Sequence, residues 1–416
     1  MRTARRQRTE QRARAWFGAY PTLLVTLAFA FSLTLAFAPK LACQEQLRAG
    51  RPERHWCFSD LKQLWDTRGF DVDAAPYGDP PPGYQVDYQF EYPPGIGLPA
   101  YGLARLTATR MQFFLVNAVT LAACAAFALW QLGRALRALG RPESRLLLFA
   151  ASPGLMMFAM HTWDLWSVAP AAAGLAAAAR GRPRLAGAWF GLGAAVKWWP
   201  ALLVVLVLVG PWAAGEAGAH GSGRLSRLRR LAPAATAAAV WAAVQVPAIA
   251  ISPAGWWEST AVHLQRRANR DSLFGVIFES GATLWPSSFW SGAATRLLTV
   301  VTLGSLLVGV GYVARRLNRG TLDAGDAAVA LVALFLLTAK VFSPQFILWL
   351  AAVAVVSWVP WSRLLTVEVP NAAVWIFLAG QLFHLQAFRP LAVLRWIALA
   401  WMLATVLTSR PGSTSS

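Results

Sequence analysis

Charge is what this chain has least of. Only 14% of its 416 residues are Asp, Glu, Lys or Arg, and just 19 are acidic, where soluble domains carry about 25% charged residues. So few ionisable groups cannot clothe a water-soluble surface of this size, which excludes an ordinary soluble enzyme. Cysteine is scarce too. Cys43, Cys57 and Cys124 form no C-x-x-C pair and have no His at ligand spacing, which speaks against a structural zinc site. No repeat of fixed period stands out, and the first apolar run, about 20 residues, is long enough to span, so that run is expected to stay as an anchor.

What is present is hydrocarbon. The chain is 56% hydrophobic with 21 Trp and a mean hydropathy of +0.45. An all-α, polytopic membrane protein is the expected fold class, in one transmembrane domain over 16–408 between a basic tail (1–15) and a short Gly/Ser-rich tail (409–416). Twelve spans are expected: 16–38, 111–133, 146–162, 164–180, 184–197, 199–213, 231–251, 291–313, 325–340, 345–360, 369–387 and 390–408. Residues 94–109, short and broken by Gly95, Gly97, Pro99 and Gly102, read as a re-entrant or interfacial helix. The net charge of +19 would raise nucleic acid as a partner in a soluble protein. Here the Arg residues stand in short clusters between apolar runs, such as 134–145, 180–184, 224–230 and 315–319, and read as cytoplasmic topology signals. No nucleic-acid partner is expected, and both termini are placed inside. The two polar loops that matter, 39–110 and 252–290, are then extracytoplasmic. A Cys placed at Gly83 is expected to react with an impermeant thiol reagent on intact cells, and one at Gly218 is not; the reverse labelling would overturn the topology.

Nine of the nineteen acids lie between residues 39 and 93. A mostly apolar chain puts ionisable groups where water reaches them or where they work, and Asp60 is the leading candidate for a catalytic acid or base. With sidedness fixed, the other conspicuous groups fall on the same face: Glu91 and Tyr92, His161 and Asp164, Lys197, the loop carrying His263, Arg266, Arg267 and Arg270, and Lys340 with Gln345. Plainer roles stand beside these. The Trp residues fit an interfacial belt, Lys197 fits a snorkelling lysine, and Asp164 fits a helix cap. The Arg residues of 252–290 suit an anionic group such as a phosphate, or lipid headgroups. Cys43 and Cys57 share the first loop, as a disulfide or as two free thiols.

At these residues the chain resembles the family-87 glycosyltransferases of the GT-C superfamily, polyprenyl-phosphate-sugar-dependent mannosyltransferases of actinobacterial envelopes. The resemblance rests on Ser59-Asp60, Pro76-Tyr77, Glu91-Tyr-Pro-Pro94, Lys197 with Pro200, and Lys340 with Ser343-Pro344-Gln345 and Trp349. Phe346 stands where the pattern would have Tyr, which removes a hydroxyl. The resemblance implies a GT-C-like fold and inverting transfer of a sugar, mannose or arabinose, from a polyprenyl-phosphate donor to a lipid or lipoglycan acceptor on the outer face of the plasma membrane. Asp60 matches the catalytic residue. Lys340, Gln345, Arg266, Arg267, Arg270 and Lys197 are candidates for the donor phosphate, and Glu91, Tyr92, His161, Asp164 and His263 for the acceptor or for support of the loop. A monophosphate donor demands no metal, and no cofactor is expected. The competing class is a transporter or lipid flippase, for which twelve spans are equally natural. Transporters keep ionisable groups near the midplane, whereas here the acids crowd one outer loop.

Overall fold

The computed structural model describes residues 21–42, 58–79, 90–214, 224–269, 271–280, 292–379 and 388–408. Cys43, Cys57 and Arg270 lie outside these residues.

The described residues form helices and connecting turns, with no strand among them. Helix α1 is Pro21–Ala42, α2 is Asp60–Thr67, α3 is Pro94–Ala104 and α4 is Arg110–Leu139. Next come α5 (Pro153–Phe158), α6 (Asp164–Ala179), α7 (Pro183–Val196), α8 (Val204–Val209) and α9 (Arg224–Ile251). The order is completed by α10 (Pro253–Gln265), α11 (Leu273–Ser280), α12 (Gly292–Asn318), α13 (Ala324–Thr338), α14 (Ile347–Val355), α15 (Trp361–Ala379) and α16 (Phe388–Thr408). Five of these, α1, α4, α9, α12 and α16, are long and apolar enough to cross a membrane; 199–209, 324–338 and 344–355 are shorter apolar helical stretches. An all-α polytopic membrane protein is the result.

Several stretches expected to span as one helix do not. The stretch 146–162 is broken into a 3-10 turn, the single α-turn Leu147–Ala150 and α5, and 199–213 into two 3-10 turns around α8. Pro153, Pro200 and Pro211 sit at the breaks, because proline starts a helical segment readily and continues one badly. The interior is built instead from α6 and α13, whose small residues let neighbours approach closely: Ala171 to Ala178 and Ala327 to Ala333 are almost wholly inaccessible, a packing suited to helices in lipid. The loop 252–290 is not irregular either, since α10 and α11 occupy most of its described part.

Helix α4, 30 residues long, extends about 45 Å and separates two polar ends. At its start Arg110 pairs with Asp66 of α2. At its far end Arg141 pairs with Asp323 at 2.7 Å and donates to the Val356 carbonyl, while Arg145 donates to the carbonyls of Val355, Ala354 and Val359, each at 2.9 Å. These arginines satisfy the bare carbonyls and negative dipole at the end of α14. The basic cluster that marks topology in the sequence is thus also a structural cap.

Candidate active site

The end at which α4 begins gathers the other unusual polar groups. Helix α2 forms because Leu61, Leu64 and Trp65 make one apolar face, which packs on α4 with Trp65 5.2 Å from Phe113. It stops at Gly69, whose φ of 71° is the left-handed conformation that glycine supplies without strain. The segment 61–65 therefore lies against protein and is not a free interfacial helix. Asp60 is its first residue. Its backbone N–H donates to the His161 carbonyl at 2.9 Å, and Ser59 Oγ donates to the Met160 carbonyl at 2.8 Å. Lys40 Nζ donates to the Phe58 carbonyl at 2.9 Å, and Lys62 Nζ donates back to the Lys40 carbonyl. These bonds clamp both sides of Asp60 to α1 and to the turn before α6.

The carboxylate of Asp60 accepts one hydrogen bond, from Tyr92 Oη to Oδ2 at 3.0 Å. Burial pushes the Asp60 carboxyl up to about 6, against the Tyr92 bond and the Lys197 charge, which pull it down. Burial and the same carboxylate hold the Tyr92 phenol well above its ordinary value, so Tyr92 stays a donor. Asp60 is thus a fixed carboxylate whose Oδ1 has no hydrogen-bond donor among the described residues.

Tyr92 is placed by its neighbours. Tyr77 Oη donates to its carbonyl at 2.7 Å, and Glu91 is gripped by Arg68 through two bonds of 2.7 and 2.9 Å. Pro94 opens α3 at its first turn. Gly95 is required there, since a Cβ would run into the Ala195 carbonyl of α7. Gly255 plays the same part on α10, whose backbone comes up against the Tyr77 carbonyl. In the last turn of the same helix, His263 Nε2 lies 2.7 Å from the Glu91 carbonyl. A carbonyl only accepts, so Nε2 carries the proton, and burial lowers the His263 imidazole below its usual range.

Lys197 ends α7 beside Asp60. It neither snorkels nor reaches solvent freely: Nζ donates to Asp164 Oδ1 at 2.8 Å, with side-chain exposures of 12% and 0%. Its ammonium lies 5.3 Å from the Phe346 ring, 5.8 Å from Trp349 and 5.9 Å from Tyr92, so aromatic faces wrap the cation. Asp164 also accepts from Trp349 Nε1 at 2.8 Å and from Thr162 Oγ1 at 3.1 Å. It is the first residue of α6, but it binds side chains and does not cap the helix. The residue in place of the expected tyrosine, Phe346, stacks on Trp349 at 4.0 Å, so at this position the ring is used and the missing hydroxyl is not. The tryptophans divide: Trp163 and Trp199 are buried, whereas Trp198 and Trp257 are about half exposed, as a belt would be.

Lys340 follows α13 and is only 8% exposed. Nζ donates to the Leu264 carbonyl at 2.8 Å and to Thr299 Oγ1 at 2.7 Å, tying the end of α10 to α12, and Asn269 N–H donates to the Lys340 carbonyl at 2.9 Å. Gln345 is buried, and Arg266 and Arg267 are exposed. His161 is also buried, its ring 4.6 Å from Trp375; its backbone carbonyl, and not its imidazole, reaches Asp60. The structure thus joins Asp60, Tyr92, Glu91, His263, Lys197 and Asp164 into one connected group, with Lys340 reached through α10. Arg68, the partner of Glu91, was not singled out from sequence, because an arginine in an acid-rich loop carries no distinguishing signal. Among the described residues no three His, Cys, Asp or Glu side chains come together as a metal-binding group.

A search among curated proteins finds no match. Residues 90–344, more than half of the chain, match the family model of glycosyltransferase family 87, and this stretch takes in Glu91, Tyr92, Asp164, Lys197, His263 and Lys340 while Asp60 precedes it. The connected group of carboxylate, phenol and ion-paired cation thus lies at one end of the membrane helices of a sugar-transferring enzyme, for the chain belongs to glycosyltransferase family 87.

Proposed function

We propose that the enzyme is an inverting transferase which moves a sugar, mannose in the first instance, from a polyprenyl-phosphate donor to a hydroxyl of a lipid or lipoglycan acceptor on the outer face of the plasma membrane. The observation that carries this reading is Asp60: a half-buried carboxylate raised to about 6, bonded by a phenol on one oxygen and open on the other among the described residues, beside a cation. Asp60 takes the proton of the acceptor hydroxyl as its oxygen bonds to the anomeric carbon, and the bond from that carbon to the phosphate breaks. The electron pair leaves with the polyprenyl phosphate. Negative charge therefore grows on the phosphate in the transition state, where fixed cations stabilise it more than in the ground state. Lys197 and Lys340 fill that role, helped by Gln345, by the exposed guanidiniums of Arg266 and Arg267, and by Arg270. Beyond the bonds to partners among the described residues, Lys340 keeps one N–H and Lys197 two. The isoprenoid tail lies among the membrane helices. Glu91, His161, Asp164 and His263 support the site, and His263 Nδ1, without a proton, is available to an acceptor hydroxyl.

The test is transfer by the purified protein from labelled polyprenyl-phosphate mannose, and separately arabinose, to membrane lipids; a donor that is only carried across a vesicle and never consumed would favour the flippase. In the same assay Lys340→Ala is expected to lower kcat/KM for donor about tenfold or more, the worth of a charged hydrogen bond. Lys340→Arg, which keeps the charge and changes the donor shape, is expected to lose less. Parental turnover in Lys340→Ala would move the phosphate to Lys197 and the Arg residues.

A further inference from the structure

Seven residues into α16 stands Arg395, 1% exposed, in a helix apolar enough to span a membrane. An arginine there is costly unless it is partnered. Its partners come from three segments. Nη1 donates to Asn371 Oδ1 of α15 at 2.9 Å. Nη2 donates to the backbone carbonyl of Asp271 and lies 3.3 Å from its Oδ2. The guanidinium stacks 4.0 Å from the Phe342 ring. Nε has no hydrogen-bond partner among the described residues. Asn371 in turn spends its amide on the Pro344 carbonyl at 2.9 Å. Burial pushes the Asp271 carboxyl up while the Arg395 charge opposes it.

All these contacts converge on a short irregular run. Residues 339–343 form neither helix nor strand, so their backbone groups look outward for partners. Lys340 O is met by Asn269, two residues before Asp271; Phe342 is covered by Arg395; Pro344 O is met by Asn371. One side chain thereby ties Asp271 to the run that carries Lys340 and Phe342.

We propose that Arg395, with Asp271 and Asn371, is a positioning residue for donor binding, holding 340–345 and 266–272 together so that Lys340, Gln345 and Arg266 meet the donor phosphate as one edge. The inference rests on the reading of that edge given above. Arg395 and Asn371 both lie beyond the stretch matched by the family.

The experiment compares Arg395→Met, Arg395→Lys and Asn371→Ala in the full chain in lipid nanodiscs, measuring donor and acceptor KM with polyprenyl-phosphate mannose, and hydrogen exchange over 266–272. A misplacement of about an ångström costs up to a hundredfold, so Arg395→Met is expected to raise donor KM about tenfold with acceptor KM unchanged. Arg395→Lys recovers part of that. Asn371→Ala, which leaves the ion pair intact, gives the same split to a smaller degree if Arg395→Met does not fold. In a Lys340→Ala background the Arg395→Met effect on donor KM is expected to shrink well below tenfold, since residues acting through one another are not additive; what remains is the share of Gln345 and Arg266. Additive effects, or equal rises in donor and acceptor KM, overturn the proposal. If Lys340→Ala by itself leaves donor KM parental, the phosphate edge is wrong; exchange over 266–272 then decides the latch, faster exchange in Arg395→Met supporting it and parental exchange overturning it.

Discussion

Asp60→Asn is expected to fold normally and to transfer sugar about 100-fold or more slowly, the usual worth of a positioned general base. The substitution keeps an oxygen to accept from Tyr92 Oη and leaves the backbone bond to His161 untouched, so the loss isolates basicity. The parent enzyme adds a second signature. Asp60 must be ionised to take a proton, and burial raises it to about 6, so kcat/KM is expected to fall as pH drops through about 6 and to level above it. Tyr92→Phe removes a bond that pulls the Asp60 carboxyl down, so its acidic limb is expected at higher pH. Near-parental turnover in Asp60→Asn, or a parental profile flat between pH 5 and 7, would move the base to Glu91.

The second large effect is expected at the Lys197 and Asp164 pair. Lys197→Met strands a carboxylate that is wholly inaccessible, and removing one partner of a buried pair costs about 3 to 5 kcal/mol of stability, read as a lower midpoint of thermal unfolding. It also removes a cation from the forming phosphate, for which a loss of about 100-fold in kcat is the expected scale. The pH profile separates this from mere damage. Lys197 pulls the Asp60 carboxyl down more strongly than Asp164 pushes it up, so the acidic limb moves to higher pH in Lys197→Met even if Asp164 is neutralised with it. In Asp164→Asn the cation stays and the opposing charge goes, so the limb moves to lower pH. Shifts of the same sign in both variants would disconnect the pair from Asp60.

The membrane class and the polar end were legible in the sequence because composition and local order carry them. Apolar runs need only be counted, and the scarcity of charge made Asp60, Lys197 and Lys340 visible against it. Pro94 opening α3 follows from the rules of proline alone. The partners of these residues were not legible. Lys197 read equally well as a snorkelling lysine and Asp164 as a helix cap until the folded chain brought them within 2.8 Å across 33 residues. Arg395 stood in plain view inside the last apolar run, but its role depends on Asp271, 124 positions earlier.

The sequence by itself determined that this chain lives in a membrane, that its acidic residues crowd the first polar loop, and which carboxylate is the candidate base, since hydropathy and the rarity of acids are properties of residue type. That Lys197 pairs with Asp164 beside Asp60, and that Arg395 joins Asp271, Phe342 and Asn371, were decided only by the tertiary structure. The physical reason is range. Burial and ion pairing act over a few ångströms between groups whose separation along the chain is set by how α6, α7, α13 and α16 pack, and no local pattern encodes that.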